Sequence, residues 1–457
     1  MKNLLVRIVV MAALLALPFA ASAQYRTDAP QAETSSETLV ITLEQALEIA
    51  LSENVSVKVA DMEVERTGYA QKGSYAALFP QIDLTGAYLR AIKKQVMYMS
   101  MGEGQEAMRI EVGKSNTINA AATAALPLVS AQLWQGIKIS GLDVELAVEK
   151  ARSSRLETVT QVKNAYFSTL LAKEAFEVYK AVYENAVKNY EETQKKFDAE
   201  KISEMELIRA KTTVANAVPN VYNAESSIIL ALWQLKAVLG VDLDLNLDIA
   251  GKLGDYAQHM FYDIHQHDEA SLDRNSTMKQ LEIQMEVLAE NIKLQKFANI
   301  PTLAASFNYT YMAMANDVAF KEFPWTPYST AGLSLNIPIF AGGKRYNQIR
   351  QAKNQYQQVQ LQAVNTERQL KIAIRQYLTT METNMKSYYA AQDAVAAAQK
   401  GYDIAEKAYQ VGRSTLIELN DAQLALTQAR LAESQAIYNF VSAKASLEQT
   451  LGHDFVE

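Results

Sequence analysis

The sequence predicts a mainly α-helical chain interrupted by β-hairpins of membrane-crossing length, in which one unit of helix, hairpin, very long helix and helix is written twice. Three observations predict it. Landmarks recur at a near-constant offset: Asn54 returns as Asn275 and Pro80 as Pro301, each 221 residues on, while Pro127 returns as Pro338 after 211 and Leu239-Gly240 as Leu451-Gly452 after 212. Each half holds one helical stretch of exceptional length, and the segments around the paired prolines switch to a period of two.

The elements follow in order. Lys2 and Arg7 flank an apolar run, Ile8 to Ala21, and Ala21-Ser22-Ala23 has the small-x-small pattern of a cleavage site, so residues 1–23 read as a signal peptide and the mature chain as starting at Gln24. That run is shorter than the roughly 20 apolar residues of a spanning helix, and no other segment reaches that length. No Cys stands at the cleavage point to carry a lipid. Residues 24–41, rich in Ser, Thr, Glu and Pro up to Val40, read as a flexible leader.

The first repeat spans 42–240, with a helix from Leu43 to about Ala77, strands over 81–90 and 116–127, a helix from Ser130 to about Ala199 and another from Glu204 to Leu239. A connector, 241–263, leads to the second repeat, 264–452, with strands over 302–313 and 328–340, and a short tail, 453–457. The copies differ in one length: 47 residues separate the prolines of the first and 37 those of the second, so the first hairpin carries a loop longer by ten. About 70 residues of helix measure about 105 Å at 1.5 Å per residue. The two shorter helices, about 35 residues each, match that length end to end, which describes a rod.

Heptads support the rod. Val162, Thr169, Phe176, Tyr183, Tyr190 and Phe197 fall every seven residues in the first copy, as do Ile374, Met381, Tyr388, Val395, Tyr402 and Tyr409 in the second. The intervening positions mix Tyr166 and Val187 with Lys173, Lys180 and Gln194, which predicts one wet face. In the hairpins, Ile82, Leu84, Gly86 and Tyr88 alternate with Gln81, Asp83, Thr85 and Ala87; Leu303, Ala305, Phe307, Tyr309 and Tyr311 do so with Thr302, Ala304, Ser306, Asn308 and Thr310. Such strands suit a membrane barrel or a soluble sheet packed on helices; export and the rod favour the membrane. Four strands cannot close a barrel, since the smallest have about eight, so a barrel here is shared between protomers.

Composition removes other classes. Acidic residues outnumber basic ones, 51 to 44, against the surplus of cations that nucleic acid demands, and the absence of Cys excludes thiol chemistry and Cys-ligated zinc.

Leu78-Phe79-Pro80-Gln81-Ile82-Asp83-Leu84, Ile337-Pro338-Ile339-Phe340-Ala341-Gly342-Gly343-Lys344-Arg345 and Tyr409-Gln410-Val411-Gly412-Arg413-Ser414-Thr415-Leu416-Ile417-Glu418-Leu419-Asn420-Asp421-Ala422 resemble the TolC-like outer-membrane efflux proteins, over about Thr42 to Gly452. The resemblance implies a homotrimer with a twelve-stranded shared barrel and a long coiled-coil periplasmic tunnel. It implies a passive exit duct for drugs, ions or proteins, served by a periplasmic adaptor and an inner-membrane pump, with no catalysis and no cofactor.

The same resemblance places function at the helix reversals far from the membrane. Val411, Gly412, Ser414, Thr415 and Leu416 are expected to dock the adaptor, with Lys201, Ile202 and Ser203 as their counterparts; Glu200 stands where the family usually has Gly. Glu418 and Asp421, three apart on one helix face, match the acidic ring of the family's aperture, and Glu206 and Arg209 hold the equivalent first-copy places. Six carboxylates about 6 Å apart at an effective dielectric near 20 repel by about 3 kcal/mol per pair, so protons or cations are expected there. Arg209 is a candidate partner for Asp421 of a neighbouring coil. Composition alone reads these charges as a solvated helix face.

Aromatic residues mark expected membrane depth: Tyr75, Phe79, Trp134 and Phe340 at the periplasmic boundary, Tyr98, Trp325 and Tyr328 near the outer one, with helix–strand packing as the other reading. His259, His265 and His267 near Asp263 and Asp268 read as a solvated linker rather than a metal site, and Met97, Met99, Met101, Met312 and Met314 as apolar strand faces rather than thioether ligands. The rival to a duct is a soluble periplasmic coiled-coil scaffold or adaptor, but an adaptor carries a lipoyl-like or barrel domain where this chain has hairpins.

Overall fold

The computed structural model describes residues 38–99, 108–261, 271–316 and 324–453. The signal peptide, most of the leader, Met101, Asp263, His265, His267, Asp268 and residues 454–457 of the tail lie outside them, as does the side chain of His259. Val40–Glu457 forms one compact unit.

The helices are α1 (Leu43–Glu53), α2 (Val55–Ala76), α3 (Ala131–Asp198), α4 (Glu204–Leu239), α5 (Ser276–Phe297), α6 (Lys344–Gln410) and α7 (Leu416–Leu451). The strands are β1 (Leu39–Ile41), β2 (Gln81–Arg90), β3 (Gln95–Met99), β4 (Met108–Val112), β5 (Asn116–Val129), β6 (Leu247–Ile249), β7 (Thr302–Ala315) and β8 (Trp325–Asn336). A 3-10 helix spans Leu253–Phe261.

The single helix expected from Leu43 to Ala77 is divided. Asn54 leaves the helical region (ψ 128°) and its side chain caps α2, accepting from the backbone N–H groups of Ser56 (2.8 Å) and Val57 (3.3 Å). Its amide also donates to the carbonyl of Val238 (2.6 Å), at the end of α4. The second repeat reproduces the joint: Asn275 accepts from Met278 N–H (2.9 Å) and donates to the carbonyl of Thr450 (2.6 Å). Gly240 and Gly452 close α4 and α7 in the left-handed region, and a Cβ would lie 2.6 Å from the Glu53 carbonyl oxygen at the first and 2.1 Å from that of Arg274 at the second. Each short helix thus abuts the next in line, alongside α3 or α6.

All twelve heptad residues are buried or half-buried. Lys173, read as part of a wet face, instead turns inward: its ammonium donates to the carbonyl of Ile249 (3.0 Å) and pairs with Asp248. The main core lies mid-rod, where Val162, Tyr166 and Leu170 of α3 meet Ala46 and Ala50 of α1, Leu235 and Leu239 of α4, Met381 of α6 and Phe440 and Leu447 of α7. β1 and β6 pair over it. Ile41 is 2% exposed and its carbonyl accepts from Ala250 N–H (2.9 Å), so the end of the leader is ordered. The reason is its composition, because Leu39-Val40-Ile41 offers apolar surface that the preceding polar residues lack. The connector is likewise part of the core through Leu247, Ile249, Leu253 and Met260.

The hairpins form one antiparallel sheet of order β2-β5-β7-β8, joined between repeats by the β5–β7 pairing. The strand expected over 328–340 runs instead over Trp325–Asn336, ending before Pro338, which cannot donate to a ladder. Part of the longer first loop is itself a hairpin, β3 with β4.

Candidate functional site

Register divides the sheet into two faces of opposite chemistry. Ile82, Leu84, Gly86 and Tyr88 of β2 stand beside Ala124, Ala122, Ala120 and Ile118 of β5. These in turn face Phe307, Tyr309, Tyr311 and Ala313 of β7, which face Ala331, Ser329, Pro327 and Trp325 of β8. The opposite face carries Asp83 and Thr85, then Asn119 and Thr123, then Ser306, Asn308 and Thr310, then Thr326, Thr330 and Ser334. Across it Thr123 donates to the Asn308 side chain (2.6 Å).

All ten residues of β2 are exposed in the single chain; Leu84 is 78% and Leu333 72% exposed. Among the described residues both edge strands, β2 and β8, lack an outer partner in the sheet. Backbone groups left so in hydrocarbon are too costly to persist. No described helix is long and apolar enough to cross a membrane; the register itself gives the sheet a lipid-compatible face.

Trp325 and Tyr328, an odd number of residues apart, fall on opposite faces, so they do not form one girdle: Tyr328 shares the polar face with Thr310. On the apolar face Trp325 stacks on Tyr311 (4.9 Å between centroids), and Tyr88 lies toward the same end. Tyr88 and Tyr311 are the aromatic positions a reading by loop proximity misses, although counting strand parity finds them. Tyr75, Phe79, Trp134 and Phe340 cluster by position where helices meet strands, and all four are exposed. Tyr98 lies on β3, beyond the four-stranded sheet.

At the opposite end, α3 and α6 reverse through matched turns. Glu200 (φ 56°) and Gly412 (φ 75°) both take the left-handed conformation. Lys201 N–H donates to the Lys196 carbonyl (2.9 Å) and Arg413 N–H to that of Ala408 (2.8 Å), the same C-terminal motif in both copies. Glu200 therefore adopts the glycine geometry despite its side chain, costing about 1 kcal/mol. Ser203 caps α4, and Thr415 caps α7 in a capping box with Glu418.

Two of the expected site residues are otherwise engaged. Leu416 is 3% exposed and packs with Leu419, Leu426, Ala210, Tyr402 and Tyr409, so it is tip core and not docking surface. Val411, Gly412, Thr415, Lys201 and Ser203 are exposed, and Ser414 and Ile202 half-buried. The Glu418 carboxylate is folded back on the turn, accepting from Thr415 N–H (3.0 Å) and the Ser414 hydroxyl. Those bonds, the Ser414 hydroxyl first, lower its pKa below the ordinary carboxylate value, against the expected retention of a proton. Asp421 and Arg209 are exposed and ion-paired to no described residue; Glu206 is half-buried. Below the turns, Tyr409 is buried. Its hydroxyl donates to Thr193 (2.7 Å), whose own proton goes to the Asn189 carbonyl, while the Lys196 ammonium lies 4.4 Å over its ring.

Between sheet and core, Glu290 of α5 accepts from Lys138 (2.8 Å) and Gln135 (2.6 Å) of α3 and from Lys293 (2.9 Å), tying the repeats together. Bonding to Lys138 first and Lys293 second holds its carboxyl down at about 2.

A sheet with one lipid-compatible face, set on a rod of paired helices, defines an outer-membrane β-barrel stave carrying a helical duct. The sequence model described as outer membrane efflux protein matches residues 46–241 and 269–453, and the chain belongs to that family. It is 21% identical over 391 residues to outer membrane protein TolC of Vibrio cholerae serotype O1, covering 84% of each chain, and 21% identical over 357 residues to TolC of Escherichia coli K12, covering 74% of this chain and 71% of that one. The fold superposes on the Campylobacter jejuni CmeC outer membrane channel with a TM-score of 0.71 at 17% identity, over 90% of this chain and 85% of that one. It matches VceC of Vibrio cholerae at 0.70 and 18%, over 90% and 96%. The protein is an exit duct of the Gram-negative outer membrane extending into the periplasm, and its homologues are channel proteins rather than enzymes.

Proposed function

We propose that the duct works as a homotrimer whose twelve strands close one barrel, and that the turns Asp198–Ser203 and Val411–Thr415 dock a periplasmic adaptor linked to an inner-membrane pump. The observation that carries the trimer is the four-stranded sheet with its apolar and polar faces and two open edges: it satisfies its edges only by pairing β2 of one copy with β8 of the next. A soluble scaffold has no use for a continuous face of Ile82, Leu84, Phe307 and Leu333.

The docking surface is Val411, Gly412, Ser414 and Thr415 with Lys201, Ile202 and Ser203. At the aperture, Asp421 rather than Glu418 is the acidic group free to face the axis, with Glu206 beside it and Arg209 as its counter-charge. Cysteines placed on β2 and β8 edges, at Thr85 and Thr330, test the trimer. Crosslinking to a trimer-sized, heat-modifiable band is expected, and exclusively monomeric material would overturn the reading. Crosslinking from Val411 to a periplasmic protein, lost on exchange of Gly412 for Trp, tests docking.

A further inference from the structure

Arg90 ends β2 on the face it shares with Ile82, Leu84 and Tyr88. Nine steps of about 3.3 Å, tilted about 40°, place Arg90 about 23 Å from Gln81 along the membrane normal, at the interface far from the rod. The strand's Tyr88 and the Tyr311–Trp325 pair lie near that level. Beyond Arg90 the chain bends through Lys93 and Lys94 into β3, and the return strand β4 reaches β5 through a turn containing Lys114. The two crossings are held together where Ala91 N–H donates to the Ser115 carbonyl (2.8 Å). Four cations from two adjacent crossings therefore flank Ile92, which is 98% exposed.

None of the four pairs with a described carboxylate. Glu111, the acidic residue on β4, lies 3.9 Å from Arg109 instead. Asp83 belongs to the polar face near the other end of β2. The concentration of positive charge runs against a chain whose acidic residues outnumber its basic ones.

From this geometry we infer that Arg90, Lys93, Lys94 and Lys114 form a site for the phosphate groups of the glycolipid of the outer leaflet, with Ile92 and the apolar sheet face at Tyr88 against its acyl chains. The chemistry fits each part. Guanidinium and ammonium groups make charge-assisted bonds to phosphate oxygens. Lysine stems lie along apolar surface while their heads stay at headgroup level. Anionic lipid recognition by clustered Lys and Arg beside a membrane-spanning element is the arrangement such headgroups require. The inference rests on the lipid-facing assignment of the apolar sheet face and adds a specific ligand to it.

The test uses the purified full-length protein in nanodiscs, with bisphosphorylated lipid A, its dephosphorylated form and inorganic phosphate as separate probes. Native mass spectrometry or thermal shift reads the binding. The expected result is retention of bisphosphorylated lipid A, weakened more than tenfold when all four cations become Ala, and no comparable binding of the dephosphorylated form. Arg90→Lys retains binding, and neutralising Lys371 and Lys386, which sit on α6 paired with carboxylates, leaves it unchanged. A heat-modifiable assembled band from the quadruple variant shows that it folds. Equal binding of lipid A by that folded variant, equal binding of the dephosphorylated lipid, or saturation by inorganic phosphate alone overturns the inference. A quadruple variant that does not assemble moves the decision to Lys93→Ala/Lys94→Ala, in the bend outside the ladder, where unchanged affinity also overturns it.

Discussion

Replacing Glu290 with Gln removes one charge from the contact between α3 and α5. The carboxylate is 10% exposed and accepts from Lys138, Lys293 and Gln135, and its pKa falls from 4.5 to about 2. At 1.36 kcal/mol per unit that displacement corresponds to about 3 kcal/mol. Lys138 and Lys293 are 58% and 53% exposed, so solvent screens part of their attraction and they rehydrate when the partner is lost. The expected destabilisation is therefore about 2 kcal/mol at neutral pH. Because the folded pKa lies below the unfolded one, the contribution is complete above about 4.5 and is lost as pH falls toward about 2. Urea titrations of detergent-solubilised wild type and Glu290→Gln, followed by helical circular dichroism, should show the gap near pH 7 and its closure near pH 2.5. An equal gap at both pH values, or none at pH 7, refutes the reasoning.

Gly452→Ala forces a Cβ within 2.1 Å of the Arg274 carbonyl oxygen at φ 71°, and is expected to cost more than 3 kcal/mol; Gly412→Ala, with the same φ region and open space around it, about 1 kcal/mol by the same titration. Asp421→Asn should reduce cation selectivity and divalent block in planar bilayers, whereas Glu418→Gln should chiefly weaken the α7 cap by about 1 kcal/mol and change selectivity less; the reverse ranking would restore Glu418 to the aperture. Arg at Phe307, on the apolar face, is expected to block barrel assembly through a burial cost of about 2–4 kcal/mol per copy. Arg at the adjacent Asn308, on the polar face, leaves the heat-modifiable band intact.

The fold was legible wherever a signal repeats. Asn54 and Asn275, with Gly240 and Gly452, mark the duplication because both copies need the same cap and the same tight approach. Strand alternation showed two faces because lipid and water each filter every second residue. What escaped depends on local hydrogen bonding or on distant pairing. Glu418 and Asp421 share a helix face by spacing, but Thr415 and Ser414 claim one of them, and only the cap geometry decides which. Leu416 reads as exposed beside a turn, yet it is the first residue of α7 and turns into the tip core. β1 pairs with β6 across some two hundred residues, beyond the reach of local periodicity. Tyr328 lies on the polar face because strand parity, and not nearness to a loop, sets which side of the sheet a residue takes.

The open edges of the sheet carry a genetic consequence. A stave that finishes its hydrogen bonding only on neighbouring copies makes each pore a joint product of separately synthesised chains. In the trimer proposed above, where a defective allele is co-expressed with a sound one, untainted pores decline as the cube of the sound share, so a lesion confined to β2 or β8 that still allows entry into the trimer is expected to be dominant over the intact copy.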